Sequence, residues 1–165
     1  MSKVFEAIVE QIREEIASSY LYMAMSADME SKGFTGTARW FAAQAMEEMG
    51  HAMKFYRYLV ERGHKVTFAT IEAPPSTWED IKDVFDATLA HEKHITERIH
   101  KLYRLAQQSN DPATEVMLHW FIKEQVEEEA AVNDILAKIE MLGKAPNAMF
   151  LLDRELGSRP MPSSH

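Results

Sequence analysis

Glycine and proline occur in only a few places along this chain of 165 residues, and the stretches between them repeat apolar residues with the period of an α-helix. Four of these stretches are long. They cover about residues 3–31 and 37–62, a segment that begins just after residue 76 or 77, and a segment from Asp111 to Gly143. A fifth and shorter amphipathic stretch, NAMFLLDREL, covers residues 147–156. The pattern predicts an all-α fold of four long helices and one short C-terminal helix.

The second and third long helices are separated by an unusual connection. Residues 63–77, GHKVTFATIEAPPST, contain a Pro-Pro pair and no helical period, which predicts a long extended crossover. A connection of this kind can join two parallel helices. We expect Ser76 or Thr77 to cap the third helix, because their side-chain oxygens can accept hydrogen bonds from free N–H groups. Glu79 and Asp80 would then lie in the first turn, where negative charge is favourable.

The C-terminal end is apolar at first and polar afterwards. Residues 144–156 contain the run MFLL in a short amphipathic segment that is too apolar to face water alone. Since a four-helix bundle is complete without this segment, we expect it to pack against neighbouring subunits. The polar tail is predicted to be disordered, which divides the chain into one domain over residues 1–157 and a tail over residues 158–165.

The charge balance favours cations as partners. The formal net charge is -8 and the pI is about 5.4, which argues against binding to the phosphate backbone of nucleic acids. The chain contains no cysteine, which excludes disulfides, thiolate metal ligands and thiol nucleophiles. Any metal must therefore be bound by oxygen and nitrogen atoms.

No segment of the sequence indicates export or a membrane. The N-terminal residues carry charges throughout and lack the apolar core of a signal peptide. A transmembrane helix needs about 18 or more consecutive apolar residues, and no such run occurs. We therefore expect a soluble cytoplasmic protein.

Each of the four long helices places a carboxylate within its apolar stripe: Glu15, Glu48, Glu92 and Glu128. A charged carboxylate moved out of water costs several kcal/mol unless something compensates its charge, so four at one depth indicate a bound cation. The alternative is a bundle in which these acids lie at a wet edge. His51 lies three residues after Glu48, a spacing that places both side chains on one helix face. Carboxylate and imidazole suit iron, manganese or zinc, and a shared carboxylate can hold two ions close together.

Other residues near this layer allow two interpretations. Glu47, Glu124 and Glu127 belong to acidic runs, which usually form a solvated surface, although these three could approach one another across the bundle. Tyr22 lies on the first stripe and is either a packed tyrosine or a group that hydrogen-bonds a metal-bound oxygen or donates an electron. Gln125 fills a gap in the fourth stripe.

The order and spacing of several motifs match a known family. These motifs are EEIASSYLYM in the first helix, QAMEEMGHAMKFYRYLVERG in the second, PPS before the third, HE at Glu92 and EQVEEE in the fourth. In these motifs the chain resembles the bacterial non-haem ferritins over essentially its whole length. The resemblance implies a ferritin-like four-helix bundle with a long crossover between helices two and three, plus a short fifth helix. It also implies a shell of twenty-four subunits that stores ferric mineral.

The same resemblance implies roles for the acids in the four stripes. Glu15, Glu48 and His51 match the ligands of a first iron ion. A second iron ion would be held by Glu92 and Glu128, with Glu48 as the bridge between the two ions. The implied activity is ferroxidation, in which dioxygen or peroxide oxidises ferrous iron to ferric iron.

Further residues match the family pattern around this pair. Gln125 would lie beside the second iron ion, and Tyr22 matches the tyrosine found next to such centres. A third iron site, typical of the prokaryotic members, would be formed by four acids: Glu47, Glu124, Glu127 and the shared Glu128. Because the second ion lacks a histidine, we expect its iron to move into the interior cavity of the shell. The centre would then be a turnover site and would not hold iron as a permanent cofactor.

Three other classes are alternatives, and one of them is a non-catalytic helical bundle that only binds divalent cations or a partner. A haem-containing bacterioferritin would repeat Glu-x-x-His in the fourth helix, where this chain has Gln125 and Glu128. Met49 occupies the position of the haem-ligating methionine of bacterioferritins, but other non-haem ferritins also resemble this stretch, and haem is not expected. A di-iron oxygenase would need an apolar pocket beside the metals for its organic substrate. Rubrerythrins are excluded, because they add a cysteine-bound iron domain and this chain contains no cysteine.

Overall fold

The computed structural model describes residues 2–143 and 145–163, and these residues form five helices and no strand. The helices are α1 (Lys3–Ser31), α2 (Thr35–Glu61), α3 (Ile81–Gln108), α4 (Pro112–Leu142) and α5 (Pro146–Gly157). The predicted all-α bundle with a long crossover and a short fifth helix is confirmed. In the described part of the chain, every helix is too short or too polar to span a lipid bilayer.

Contacts at the two ends of the bundle establish the helix directions. Short turns join α1 to α2 and α3 to α4, so each of these pairs is antiparallel. Arg62, just after α2, lies 3.2 Å from Asp111 at the start of α4. The N–H of Trp78, just before α3, donates to Asp28 near the end of α1 (2.9 Å). Since α2 ends at one end of the bundle and α3 begins at the other, the crossover runs the length of the bundle between two parallel helices.

The interior consists of two apolar clusters with a polar layer between them. One cluster includes Phe41 and Phe85, and the other includes Phe55 and Phe121, whose rings stack with centroids 3.9 Å apart. Along each long helix, one cluster ends before the buried acid and the other begins after it. Full burial of a phenylalanine contributes about 1.5–3 kcal/mol, so the clusters can offset the cost of the acids between them.

The N-terminus of α3 differs from the prediction. The helix is capped by Asp80 and not by Ser76 or Thr77, so Glu79 and Asp80 precede the helix and do not form its first turn. The Asp80 carboxylate accepts a hydrogen bond from an N–H of the first turn at 2.8 Å. Trp78 is buried, and its N–H is bound by a carboxylate of α1. This long-range contact keeps the preceding residues in the extended crossover.

The N-terminus of α2 is capped by a residue from a distant part of the chain. Phe34, which precedes the helix, offers no side-chain oxygen for the free N–H groups that follow Thr35. Asp153 of α5 accepts hydrogen bonds from the N–H of Gly36 (3.1 Å) and from the N–H and hydroxyl of Thr37 (both 2.7 Å). Its negative charge also suits the positive end of the helix dipole.

The prediction that α5 packs against neighbouring subunits was wrong for one of its faces. Leu152 and Leu156 are buried against the bundle of the same chain. Phe150 and Leu151, on the opposite side, are 63% and 59% exposed. An amphipathic pattern predicts that a face will be buried but does not say which partner buries it. Only the second face is therefore available to another subunit.

The tail after α5 contains no helix in residues 158–163, and residues 164 and 165 lie outside the described residues. Arg159 of this tail contacts α2. The predicted disorder of the tail stays a prediction.

Gly36→Ala is expected to displace α5 and to lower the free energy of unfolding by about 1–3 kcal/mol. A Cβ at Gly36 would lie 1.8 Å from the backbone carbonyl oxygen of Asp153, which requires the backbone of α5 to move. Chemical denaturation of both proteins measures the difference. The matched control is Gly50→Ala, which also lies in α2 but has no neighbour within 4 Å of the added Cβ. Equal stability of the Gly36→Ala variant and the parent would contradict this packing.

Candidate metal centre

Six polar side chains from all four long helices form the buried layer of the bundle. They are Glu15 from α1, Glu48 and His51 from α2, Glu92 from α3, and Gln125 and Glu128 from α4. The most exposed of them, Glu128, retains only 7% of its accessible surface. The structure therefore places every residue predicted for the paired ion site in one layer that is largely shielded from bulk water.

The first group of ligands joins α1 and α2. Glu48 and His51 lie one helical turn apart, and Nδ1 of His51 lies 3.1 Å from Oε2 of Glu48. The same nitrogen lies 3.9 Å from Oε2 of Glu15. One ligand atom from each of these three side chains lies within 4.8 Å of the others. This spacing allows a single ion to contact all three.

The second group joins α2, α3 and α4. Glu48, Glu92 and Glu128 also offer ligand atoms that lie within 4.8 Å of one another. Glu48 therefore belongs to both groups, as a bridge between two ions would. Gln125 donates a hydrogen bond to Oε2 of Glu92 at 3.1 Å, which orients that carboxylate within the layer.

One atom of the layer has no hydrogen-bond partner. Oε2 of Glu15 is completely buried, and among the described residues it is the one such side-chain atom without a donor. A buried acceptor without a donor costs about 1–3 kcal/mol, and more when it is charged. The oxygen faces the imidazole of His51 within the first ligand group. A cation bound there would supply the missing partner, so the residues present fit a metal ion.

The electrostatics of the layer also favour a cation. Burial raises the pKa of Glu48 well above its usual range, and repulsion from neighbouring carboxylates adds to the effect. Burial also raises the pKa of Glu15, and it raises the pKa of Glu128 to about 9, to which the charge of Glu92 contributes. Without a metal cation, protons neutralise part of this charge. A divalent cation favours the ionised carboxylates and would release those protons.

Tyr22 and His91 support the layer from α1 and α3. The hydroxyl of Tyr22 donates to Oε1 of Glu92 at 2.5 Å. Burial and the charge of Glu92 raise the pKa of Tyr22 well above its usual range, so the hydroxyl remains a donor. The ring of His91 packs edge-on against Tyr22 and is hydrogen-bonded to the hydroxyl of Ser18 (2.7 Å). Tyr22 is thus a packed residue whose hydroxyl holds one carboxylate of the layer.

Nearly the whole chain is similar to known proteins. A model of the ferritin-like domain family matches residues 5–142. The chain belongs to the ferritin family. A bacterial non-heme ferritin from Bacteroides fragilis is 39% identical over 157 residues, which are 95% of this chain and 98% of that protein. A bacterial non-heme ferritin from Staphylococcus aureus is 35% identical over 156 residues, which are 94% of each chain.

Solved ferritin structures have the same fold as this chain. An open-pore ferritin from the hyperthermophilic archaeon Archaeoglobus fulgidus is 40% identical and has a TM-score of 0.95, with 97% of this chain and 99% of that chain covered. An engineered closed form of the Archaeoglobus fulgidus ferritin, also 40% identical, has a TM-score of 0.96, with 98% and 99% covered. The predicted resemblance to bacterial non-haem ferritins is therefore confirmed.

The acids predicted for a third iron site are divided between two places in this ferritin. Glu124 approaches the main layer, where it forms a three-ligand group with His51 and Glu128. Glu47 and Glu127 line a cavity of about 250 Å³ that also reaches Glu128. In the described ranges, the three-ligand groups include neither Glu47 nor Glu127. Glu128 thus borders both places, and the four acids do not form one compact cluster.

Two glutamines that hold the layer were not predicted. Gln44 donates to Glu48 (3.2 Å) and to Glu128 (2.6 Å), and so links α2 with α4. Gln11 donates to Glu15 at 3.1 Å. Each glutamine lies four residues before the carboxylate on its own helix. The spacing Gln-x-x-x-Glu, which places both side chains on one helix face, is the signal that could have identified them.

Met49 lies outside this layer. It is 40% exposed on the surface of α2, where it lines a cavity of about 540 Å³ together with Met23 and Met46. It is therefore not one of the buried side chains of the metal centre.

Proposed function

We propose that this protein stores iron by oxidising ferrous ions at the buried layer and keeping the ferric product inside a shell of identical subunits. The sharing of Glu48 between two ligand groups carries the proposal, because one carboxylate can then hold two ferrous ions side by side. Membership of the ferritin family supports the same assignment.

In this proposal, the first ferrous ion binds Glu15, Glu48 and His51. The second binds Glu92 and Glu128 and shares Glu48. Each ion gives up one electron, and the two electrons with two protons reduce dioxygen to hydrogen peroxide, or hydrogen peroxide to water. Hard carboxylate oxygens favour the ferric product. The chain is then a ferroxidase for which iron is a substrate.

Neighbouring side chains would orient the ligands of the second ion. Tyr22 and Gln125 both donate to Glu92, and this leaves few ways for that carboxylate to turn. The second ion would lie beside Glu128, and Glu128 also lines a cavity that reaches the exposed Glu127. We therefore propose that iron leaves from this side after oxidation, toward Glu128 and the cavity beside it.

A third iron site would receive ions on this path. Its proposed ligands are Glu47, Glu124, Glu127 and the shared Glu128. The cavity that Glu47 and Glu127 line with Glu128 supports this assignment, because it connects a buried ligand with the exposed Glu127. The oxygenase alternative has less support, since carboxylates and not only apolar side chains line this cavity.

We also propose that the chain has one domain over residues 1–157 and a tail over residues 158–165. Twenty-four copies would form the shell, which would lie in the cytoplasm. The exposed apolar face of α5, with Phe150 and Leu151, supports burial between subunits. Met23, Met46 and Met49 form a second exposed apolar surface that a neighbouring copy could cover. Haem is not part of the proposal.

Adding ferrous iron to metal-free protein is expected to consume dioxygen much faster than ferrous iron does in buffer alone. His51→Ala should slow the initial phase by about tenfold or more, because it removes one of few ligands from the first ion. An oxygen electrode measures the rate. Sedimentation of the product should show a retained ferric core in a particle far larger than the 18.9 kDa chain.

Three results would contradict the proposal in different ways. A rate equal to that of buffer indicates a bundle that only binds cations. A monomer or dimer without an iron core, which oxidises an organic substrate, indicates an oxygenase. A haem absorption band in the purified protein indicates a bacterioferritin.

A further inference from the structure

Arg159, in the tail after α5, is held against the N-terminal half of α2 by three contacts. Its guanidinium lies 3.2 Å from a carboxylate oxygen of Glu47. It also donates to the backbone carbonyl of Trp40 (3.1 Å), and its central carbon lies 4.4 Å from the centroid of the Trp40 ring. The side chain is 18% exposed. A planar cation is thus fixed at this point by an ion pair, a hydrogen bond and an aromatic ring.

The position of the Arg159 guanidinium is important because it lines the cavity beside the metal centre. Arg159 shares that cavity with Glu47, Glu127, Glu128 and Gln44. Gln44 is bonded to both Glu128 and the bridging carboxylate of the layer, so the cavity adjoins the ligands of the second ion. The guanidinium therefore lies beside the carboxylates to which a third cation would bind.

We infer that Arg159 is an internal counter-ion of the third cation site. It neutralises Glu47 while no cation is bound there, and it moves away when a divalent cation binds. The inference rests on the proposed function, because it assumes that Glu47 receives iron from the paired site.

The physical argument is competition for one carboxylate. The guanidinium and a divalent cation repel each other at contact distance, so Glu47 cannot bind both fully. A cation that enters must separate Glu47 from Arg159, and the energy of that ion pair is subtracted from its binding energy. The third site then binds a cation less tightly than its carboxylate ligands would without Arg159. Weak binding suits an ion that has to pass on to the mineral.

The alternative is that Arg159 only attaches the tail to α2. In that case its removal would loosen the tail but would not change the affinity of the cavity for cations. Cation affinity and the environment of Trp40 therefore distinguish the two roles.

The test uses the assembled full-length protein and Zn²⁺, which binds oxygen and nitrogen ligands and has no redox chemistry. Calorimetric titration should resolve tight binding at the paired site and a weaker class of sites. Arg159→Gln should tighten the weaker class by about fivefold, the size expected for loss of a partly exposed ion pair. Glu47→Gln should abolish that class. The matched control is Arg154→Gln, which removes an exposed arginine of α5 and should change neither class.

Tryptophan fluorescence gives an independent measurement of movement. In a Trp78→Phe, Trp120→Phe background, Trp40 is the one tryptophan left in the chain. Filling of the weaker class should then change the emission of Trp40 when Arg159 is present and should not change it in Arg159→Gln. Circular dichroism verifies that each variant keeps its helices.

Two outcomes would overturn the inference. If Arg159→Gln binds Zn²⁺ like the parent and the Trp40 signal is unchanged while Glu47→Gln still loses the weaker class, Arg159 is only a structural attachment and the third site stands. If Glu47→Gln keeps the weaker class, Glu47 is not a ligand. The third site of the proposed function then falls together with the inference.

Discussion

Glu48→Gln is expected to abolish rapid oxidation of ferrous iron, with an initial rate lower than that of the parent by about 100-fold or more. Glu48 belongs to both three-ligand groups, so the change removes a charged ligand from two ions at once. The amide keeps the size of the side chain and can still accept the hydrogen bond from Gln44. The fold should therefore survive, and stopped-flow absorbance of ferric iron measures the loss.

The matched control for this variant is Glu61→Gln, which changes an exposed glutamate at the end of the same helix. Its initial rate should equal that of the parent. Glu48→Gln with parental kinetics would show that the layer is not the site of oxidation, even if the protein assembles and holds iron.

The metal-free protein is expected to lose stability as the pH rises from about 5 to about 9. Burial raises the pKa of Glu128 from 4.5 to about 9, so the folded protein keeps a proton that the unfolded chain releases. A carboxyl whose pKa is raised by folding contributes its full stability below the unfolded pKa and loses it as the pH approaches the folded pKa. Between the two values the loss is about 1.4 kcal/mol per pH unit for one such group.

Glu128→Gln removes this ionisation and should make the dependence of unfolding on pH less steep. Denaturation midpoints of both proteins, measured with a chelator at equal concentration from pH 5 to pH 9, provide the comparison. Taking the difference between the two proteins cancels the titration of groups that do not interact with Glu128. Glu48, whose pKa is raised by burial and in part by the charge of Glu128, still contributes to the difference. Zn²⁺ should stabilise the parent most at the high end of this range, because ionised carboxylates bind it. A parent whose stability rises with pH relative to the variant would contradict a buried, protonated Glu128.

The four long helices could be predicted because each depends on neighbours three or four residues away along the chain. The same local rule placed Glu15, Glu48, Glu92 and Glu128 within apolar stripes and so indicated one polar layer. The residues predicted for the paired site came from the stripes and from the family resemblance, and the structure places them in one buried layer. Gln11 and Gln44 obey the same local rule, since each lies one turn before the carboxylate to which it donates.

The ends of the helices depended on partners that are distant in sequence. Ser76 and Thr77 are suitable caps in isolation, but the contact between Trp78 and Asp28 holds this segment extended and leaves the cap to Asp80. For the same reason the cap of α2 was not predicted, since its carboxylate comes from α5. Helical periodicity is a local pattern and does not predict which residues of two distant segments contact each other.

By itself, the sequence determined that this chain forms four long helices with a carboxylate at one depth in each, because helical spacing and the cost of burying charge act locally. The tertiary structure alone decided which acids come together in one three-ligand group and which have another partner. It placed Glu124 beside His51, and it paired Glu47 with Arg159 of the tail. These pairings depend on the packing of helices and tail against one another, since each joins side chains that are distant in sequence.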